Sequence, residues 1–262
     1  MTYQGKVFVV TGAGSGIGRE LVRALMAQGA KVAAVDLRRE GLETLGEASG
    51  RLSLHPLDIS DRDAVAALPA AVEAALGPVD GLINNAGIIQ PFVPVSALDM
   101  AVIDRLVSVN LMGPVLMTKA FLPALMARPK SWLVNVASMG GFIPFPGQTI
   151  YSATKAAVKL MSEGLYAELM DGPVSVSVVM PGAVDTNIVQ NSGLDMPMGD
   201  AAASKAVPAP EAAKIILDGV AAGRLHILVG SDARSLWALS RIAPARAIRM
   251  IQRKMAAMTA GK

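Results

Sequence analysis

The feature that most constrains the fold of this chain is a regular alternation between two hydrophobic patterns. Short apolar runs rich in β-branched residues recur along the sequence, and stretches with helical periodicity lie between them. Strands joined by such helices pair in parallel, so we expect an α/β fold with a doubly wound parallel sheet of about seven strands and helices on both faces. The predicted strands are Lys6–Thr11, Lys31–Asp36, Leu52–Leu57, Gly81–Asn84, Trp132–Ala137, Val174–Met180 and Ile227–Val229. The predicted helices include Gly16–Gln28, Asp61–Leu76 and Ala153–Met170.

The composition fits one domain over residues 1–262 with a sheet buried on both faces, because 52% of the residues are hydrophobic and 17% are charged. A net charge of +3 and 4% aromatic residues argue against a nucleic-acid partner. The chain has no cysteine, which excludes disulfides, thiolate catalysis and cysteine-ligated zinc. His55 and His226 lie in separate apolar stretches, and we interpret them as strand-edge residues rather than as metal ligands.

The N-terminus leads directly into the first predicted strand and shows no signal-peptide pattern. No uninterrupted apolar run reaches about 18 residues, so we expect no membrane-spanning helix. These observations predict a soluble, cytoplasmic protein.

The segment TGAGSGIG, residues 11–18, follows the first strand and opens the first helix. Its glycines allow a tight turn, and the amides at the helix N-terminus face a bound anion. Asp36 stands 18 residues after Gly18, at the end of the second strand, where a carboxylate can bind a ribose. Asp36 would repel a 2′-phosphate, which favours NAD over NADP. Arg38 and Arg39 weaken this preference, although we interpret them as solvated.

Further segments of unusual composition follow other strands: NNAG at residues 84–87, Ser138, and PGAVDT at residues 181–186. With Asn110 in SVNLMG and YSATK at residues 151–155, they resemble the short-chain dehydrogenase/reductase family in its single-domain form. The motifs occur in family order over nearly the whole chain, and Ser138 precedes Tyr151 by 13 residues. The resemblance implies a Rossmann-type NAD(P)-dependent oxidoreductase that interconverts a secondary alcohol and a ketone.

Tyr151 and Lys155 are one helical turn apart, which suits the proton transfer that accompanies hydride transfer to a carbonyl. A phenol has a pKa of about 10, and we expect the Lys155 ammonium to lower that of Tyr151. The resemblance implies that Tyr151 is the general acid/base and that Lys155 also binds the nicotinamide ribose. It further implies that Ser138 polarises the substrate oxygen and that Asn110 supports a water-mediated proton relay.

The resemblance also implies cofactor contacts from the glycine turn to the end of the sixth strand. Among them, Asp58 is expected at the adenine, and Val184 and Thr186 at the nicotinamide amide. The full set is Gly12, Ser15, Gly16, Ile17, Gly18, Asp36, Asp58, Ile59, Asn85, Ala86, Gly87, Tyr151, Lys155, Pro181, Gly182, Val184 and Thr186.

Loops supply the substrate side, where we expect Ser138, Gln148 and Tyr151 to bind the substrate. The other candidate pocket residues carry no cation, which favours an uncharged, hydrophobic alcohol or ketone. The long connection at about 187–210 is interpreted as a substrate lid, with an insertion of no functional consequence as the alternative. The other candidate pocket residues are Gln90, Phe92, Met139, Phe142, Ile143, Phe145, Met180, Val189, Met196 and Met198.

The C-terminal part is basic, with eight Lys/Arg and one acid in residues 224–262. We expect a basic amphipathic helix at about 234–258 that packs by its apolar stripe; contact with a membrane surface or an acidic partner is the alternative. The helices around residues 101–127 and 151–170 are apolar on more than one side. The family commonly pairs subunits through them, so we expect a homotetramer or homodimer.

Two other functions stay open from the sequence. A nucleotide-sensing protein could use this fold without turnover, although the presence of Ser138, Tyr151 and Lys155 argues against it. A lyase or epimerase with tightly held NAD is the other alternative. Such enzymes usually carry an extra substrate domain, for which 262 residues leave little room.

Overall fold

The structure is a computed structural model that describes residues 3–186, 188–194 and 206–260, with side chains to residue 256. Seven strands form one sheet in which all neighbours are parallel. Two short strands pair separately and bring the two ends of the predicted lid together. In chain order the strands are β1 (Val7–Thr11), β2 (Lys31–Asp36), β3 (Leu52–Pro56), β4 (Gly81–Asn84), β5 (Ser131–Val136), β6 (Val174–Pro181), β7 (Val184–Asp185), β8 (Val207–Pro208) and β9 (His226–Val229). The short pair is β7 and β8.

Helices connect successive strands of the large sheet. A π-helical turn at Ser108–Met112 joins two of these helices to each other. The described helices are α1 (Gly16–Ala27), α2 (Arg39–Glu43), α3 (Arg62–Leu76), α4 (Met100–Val107), α5 (Gly113–Met126), α6 (Thr149–Leu169), α7 (Ile188–Asn191), α8 (Ala209–Ala221), α9 (Ser231–Ile242) and α10 (Pro244–Ala260).

The strand order across the sheet is β3-β2-β1-β4-β5-β6-β9, which confirms the predicted doubly wound fold. Strands β2 and β3 are added on one side of β1, and β4, β5, β6 and β9 are added on the other side. The loops after β1 and β4 therefore diverge and open a crevice at the carboxyl ends of the strands. His55 and His226 lie on β3 and β9, the two edge strands of the sheet.

Alternating side chains of the strands divide the apolar core between the two faces of the sheet. Phe8 and Val10 of β1 pack in the cluster that holds residues of α1 and α8. Val7 and Val9 of the same strand pack in the cluster that holds residues of α3 and α5. Because both faces are covered, β1 is a continuous apolar run, as the sequence predicts.

The predicted strand boundaries agree with the structure to within one residue. Helix α6 begins at Thr149, four residues before the predicted start, so Tyr151 lies in its first turn. The single basic helix predicted at 234–258 is wrong, because the segment forms two helices that meet at Ala243. Pro244 has no amide hydrogen to continue α9 and disfavours helical geometry at the residue before it.

One described stretch, Met100–Met126, is long and apolar enough to span a membrane by length and composition alone. It consists of α4, the π-helical turn and α5, and 28% of its apolar 18-residue window is buried. Met117, Phe121 and Leu125 of α5 are fully buried against the sheet.

Candidate active site

The glycine turn after β1 brings helix α1 close to the strand. Gly12 has a φ of +65°, a left-handed conformation that favours glycine. A Cβ atom on Gly18 would collide with the carbonyl oxygen of Gly12, so the helix can approach this closely only with glycine there. The Asn85 side chain donates to the carbonyl oxygens of Thr11 and Gly12, at 3.0 and 3.3 Å, and ties the NNAG loop to the turn.

The crevice at the carboxyl ends of the strands is a cavity of about 1040 Å³. Gly18 lies behind the turn, and neither Asn110 nor Gln148 lines this cavity. The other predicted cofactor and catalytic residues all line it: Gly12, Ser15, Gly16, Ile17, Asp36, Asp58, Ile59, Asn85, Ala86, Gly87, Ser138, Tyr151, Lys155, Pro181, Gly182, Val184 and Thr186.

The lining of this cavity fits a dinucleotide. The Asp36 carboxylate accepts hydrogen bonds from the amides of Gly14 and Arg38, at 2.9 and 3.0 Å, and is held at the end of β2. The Nε atom of Arg19 is buried and has no hydrogen bond to a described residue, although it lies 3.8 Å from the Glu20 Oε1. A carboxylate suits a ribose, and helix N-terminal amides with a guanidinium nitrogen suit a pyrophosphate.

Ser138 and Tyr151 lie together beside Gly140. A Cβ atom on Gly140 would lie 3.4 Å from both the Ser138 Oγ and the Tyr151 Cε1. The Ser138 Oγ accepts a hydrogen bond of 3.0 Å from the Gly140 amide, and its hydroxyl also hydrogen-bonds with Tyr151. The two hydroxyl-bearing side chains therefore line one end of the cavity as a pair.

Lys155 and Asn110 meet beside Gly87 of the NNAG loop. A Cβ atom on Gly87 would lie 3.0 Å from the Lys155 Nζ and 3.3 Å from the Asn110 Oδ1. Asn110 is fully buried in the π-helical turn, a distortion frequent at functional sites. Its side chain accepts from the amide of Ile88 and donates to the carbonyl of Ile88, both at 2.8 Å. Asn110 thus holds the NNAG loop in place with its side chain.

The pKa values of the two predicted proton-transfer groups are set mainly by burial. Burial lowers the pKa of Lys155 from 10.5 to about 8, and its Nζ donates to the Val136 carbonyl at 3.0 Å. Burial raises the pKa of Tyr151, and hydrogen bonding with Ser138 opposes the increase. The expectation that the pKa of Tyr151 lies below its ordinary value is therefore wrong, because desolvation of the phenol raises the pKa by more than its polar neighbours lower it.

Gln90 positions the first turn of the helix that carries Tyr151. Its Oε1 accepts from the Tyr151 amide at 2.9 Å, and its Nε2 donates to the Gly147 carbonyl at 2.9 Å. Gln148 is the residue before the helix, and its Nε2 donates to the Gln90 carbonyl at 2.6 Å. Both glutamine side chains are buried. Gln90 therefore satisfies a helix N-terminal amide that the helix itself cannot satisfy.

Replacing Gln90 with Leu should lower both stability and turnover. The change leaves the Tyr151 amide and the Gly147 carbonyl, both partly buried, without partners, which costs at most about 1–3 kcal/mol of unfolding free energy for each group. Urea unfolding measures the first effect, and kcat measures the second. NADH affinity should change little, because Gln90 does not line the cavity. Gln90→Glu keeps the acceptor for the Tyr151 amide, so its turnover should lie between those of Gln90→Leu and the wild type. Equal kcat in the wild type and Gln90→Leu would contradict the positioning role of Gln90.

The start of the predicted lid is tied across the cavity by a contact that the sequence does not reveal. The Arg38 guanidinium donates to the Asn191 Oδ1 and carbonyl oxygen, at 3.2 and 3.1 Å. The Asn191 Nδ2 donates to the Ser15 Oγ at 2.7 Å. Arg38 is exposed, in agreement with the sequence, and it is also bonded to the start of the predicted lid. Half of the predicted lid, residue 187 and residues 195–205 with Met196 and Met198, lies outside the described residues.

Of the other residues expected to line the substrate pocket, none in the described part of the chain lines the large cavity. Met180 is buried in the core, and Phe142, Ile143 and Phe145 pack against the C-terminal helices. The apolar lining comes instead from residues such as Ile88, Ile89, Val109 and Ile188. Arg105 also lines the cavity, so a cation does lie near its wall.

A parallel doubly wound sheet with a glycine turn and this crevice defines a dinucleotide-binding protein of the Rossmann type. A family model described as short chain dehydrogenase matches residues 6–197. SadH of Mycobacterium tuberculosis is 38% identical over 254 residues, which is 92% of each chain. The chain belongs to the short-chain dehydrogenase/reductase family and is an oxidoreductase of that family.

Solved structures with this fold include complexes with either nicotinamide cofactor. Levodione reductase superposes with a TM-score of 0.78 at 29% identity, over 87% of this chain and 96% of that chain. A Burkholderia phymatum family member in complex with NAD has a TM-score of 0.78 and 28% identity, over 87% and 90% of the two chains. One from Burkholderia cenocepacia in complex with NADP has a TM-score of 0.82 and 28% identity, over 96% and 99%.

Proposed function

We propose that this protein is an NAD(H)-dependent oxidoreductase that interconverts a secondary alcohol and a ketone, with Tyr151 as the general acid/base. The observation that carries the proposal is the pairing of the Ser138 and Tyr151 side chains at one end of the cavity that fits a dinucleotide. Lys155 lies one helical turn from Tyr151 and lines the same cavity. A bound nicotinamide would accept or donate the hydride.

In this proposal the chain's own residues hold the substrate oxygen and move its proton. Ser138 donates its hydroxyl hydrogen to the substrate oxygen while its Oγ accepts from the Gly140 amide. Tyr151 donates its proton to that oxygen during ketone reduction and accepts it during alcohol oxidation. Lys155 supplies positive charge to the phenolate that remains after reduction. Its ammonium is held by the Val136 carbonyl at the end of β5.

Asp36 should determine the choice of NAD over NADP. In Asp36→Asn the acceptor oxygen is kept and the charge is lost, so repulsion of a 2′-phosphate disappears. We expect the ratio of NADPH affinity to NADH affinity to increase by at least about tenfold, which is about 1.4 kcal/mol. Fluorescence titration with each cofactor measures this ratio. As the matched control, Arg38→Gln should lower the ratio of NADPH affinity to NADH affinity. An unchanged ratio in Asp36→Asn would rule out a role of Asp36 in the choice of cofactor.

The substrate is proposed to be uncharged and hydrophobic. The cavity lining includes Ile88, Ile89 and Ile188, which supports an apolar substrate. Arg105 on the same wall is the feature that would favour a carboxylate instead. A panel of apolar ketones, secondary alcohols and charged hydroxy acids, assayed with NAD(H) and NADP(H), tests the proposal. Turnover of the hydroxy acids alone would refute the hydrophobic substrate and point to Arg105.

Subunit pairing through the apolar helices α5 and α6 is also proposed. Met126 of α5 is 53% exposed, and Leu160 of α6 is 69% exposed. Exposed apolar residues on two adjacent helices support a homodimer or homotetramer. Sedimentation equilibrium measures the assembly state, and a monomer at micromolar concentration would exclude it.

A further inference from the structure

The last two helices form a hairpin that covers the loop following Ser138. Ala247 and Ile251 of α10 are buried in a cluster with Ile143 of that loop and Leu236 of α9. The rings of Phe142 and Trp237 meet edge to face at a centroid distance of 4.9 Å. The inner, apolar face of α10 is therefore occupied by the protein itself.

The outer face of α10 is a basic stripe. Arg246, Arg249 and Arg253 are exposed, and their spacing of three and four residues places them on one face, opposite Ala247 and Ile251. Residues 244–260 contain no acidic residue. Within the described ranges, no carboxylate forms an ion pair with these three arginines. Among the described residues, the stripe is a positive surface without a paired carboxylate.

Apolar side chains lie exposed beside this stripe. Ile242, at the junction of the two helices, is 85% exposed, and Ile248 and Met250 of α10 are each 46% exposed. The neighbouring Arg241 is engaged differently, because its guanidinium lies over the Trp237 ring at 4.4 Å. Arginines interleaved with exposed isoleucine and methionine are typical of helices that lie at a membrane surface.

We propose that α10, together with Ile242 at the end of α9, docks the protein on an anionic membrane surface. The arginines would contact lipid phosphates, and the exposed apolar side chains would enter the interfacial region. A nucleic-acid backbone would satisfy the arginines but would leave Ile242 in water. Because the inner face of α10 is already packed, docking is peripheral, reversible and sensitive to salt. The proposal does not depend on the catalytic reaction.

Sedimentation of the full-length protein with vesicles tests the proposal. The vesicles are pure phosphatidylcholine or an equal mixture with phosphatidylglycerol, each at low and high salt. We expect binding only to the anionic vesicles, with loss at high salt. The triple variant Arg246→Gln, Arg249→Gln, Arg253→Gln should bind at least about tenfold more weakly, and Ile242→Ser should also weaken binding.

The control removes the same charge from another surface: Arg51→Gln, Arg62→Gln, Arg224→Gln. These residues are exposed and lie outside α9 and α10. Circular dichroism verifies that each variant folds. Absence of binding to anionic vesicles overturns the proposal. So does equal loss of binding in the control triple variant. Tight binding to RNA with no effect of Ile242→Ser would identify a nucleic-acid surface and overturn it as well.

Discussion

Replacing Tyr151 with Phe should abolish most turnover while cofactor binding is kept. The substitution removes only the hydroxyl that the proposed mechanism uses to donate and accept the proton. General acid/base groups contribute between about a hundredfold and about ten-thousandfold, and we expect kcat to decrease by a factor in that range. Steady-state kinetics measures kcat. Titration of NADH fluorescence measures cofactor affinity, which should stay within about threefold because the ring remains in place.

Tyr166→Phe is the matched control, because Tyr166 lies on the same helix and outside the cavity lining. Its kcat should equal that of the wild type. Full activity of Tyr151→Phe would remove Tyr151 from the mechanism. If the wild type itself binds NADH and shows no turnover on any substrate of the panel, the protein is a nucleotide-binding protein without this activity.

The raised pKa of Tyr151 predicts opposite pH dependences for the two directions of the reaction. Alcohol oxidation needs the phenolate, so its rate should rise as the pH increases toward the pKa of Tyr151. Ketone reduction needs the phenol, so its rate should be retained at neutral pH and decrease only in the alkaline range. Profiles of kcat against pH in both directions measure this. An oxidation rate that is flat from neutral to alkaline pH would contradict a raised pKa.

Replacing Lys155 with Met should inactivate the protein and stabilise it. Turnover should decrease by about a thousandfold, because the charge beside Tyr151 is lost. The lowered pKa, from 10.5 to about 8, means that burying the protonated amine costs about 3 kcal/mol of unfolding free energy at pH 7. Losing the hydrogen bond to the Val136 carbonyl offsets about 1 kcal/mol of that gain. The variant should therefore be about 2 kcal/mol more stable at pH 7.

The pKa of Lys155 also determines the direction in which the stability of the protein changes with pH. Between about 8 and 10.5 the unfolded chain binds a proton at Lys155 that the folded chain has released, so wild-type stability rises with pH. The advantage of Lys155→Met should be largest below pH 8 and narrow above it. Urea unfolding at pH 7 and pH 10 measures the difference. Lys159→Met is the control: it removes an ion pair with Glu163 and should slightly destabilise the protein without inactivating it. A destabilised Lys155→Met would contradict the burial cost.

Elements with a strong local pattern were predictable from the sequence. Each strand of the large sheet is a short apolar run, and the first helix opens on a cluster of glycines, which is a local signal of a turn with close backbone approach. The hairpin of α9 and α10 was missed because the basic amphipathic pattern continues across Ala243, and only Pro244 marks the break. The apolar residues after Ser138 suggest a substrate pocket, but hydrophobicity alone does not say which neighbour buries them. In the structure the C-terminal helices do so.

The sequence by itself determined the parallel α/β fold, the family, and many of the residues that line the cavity at the carboxyl edge of the sheet. It could do so because strand periodicity, glycine turns and the Tyr151–Lys155 spacing are local. Only the tertiary structure decided that Gln90 caps the first turn of α6, 61 residues away along the chain, and that Arg38 reaches Asn191 across 153 residues. It also decided that burial dominates the pKa values of Tyr151 and Lys155. Contacts between distant segments and the exclusion of water exist only after the chain has folded. A local sequence pattern therefore cannot predict them.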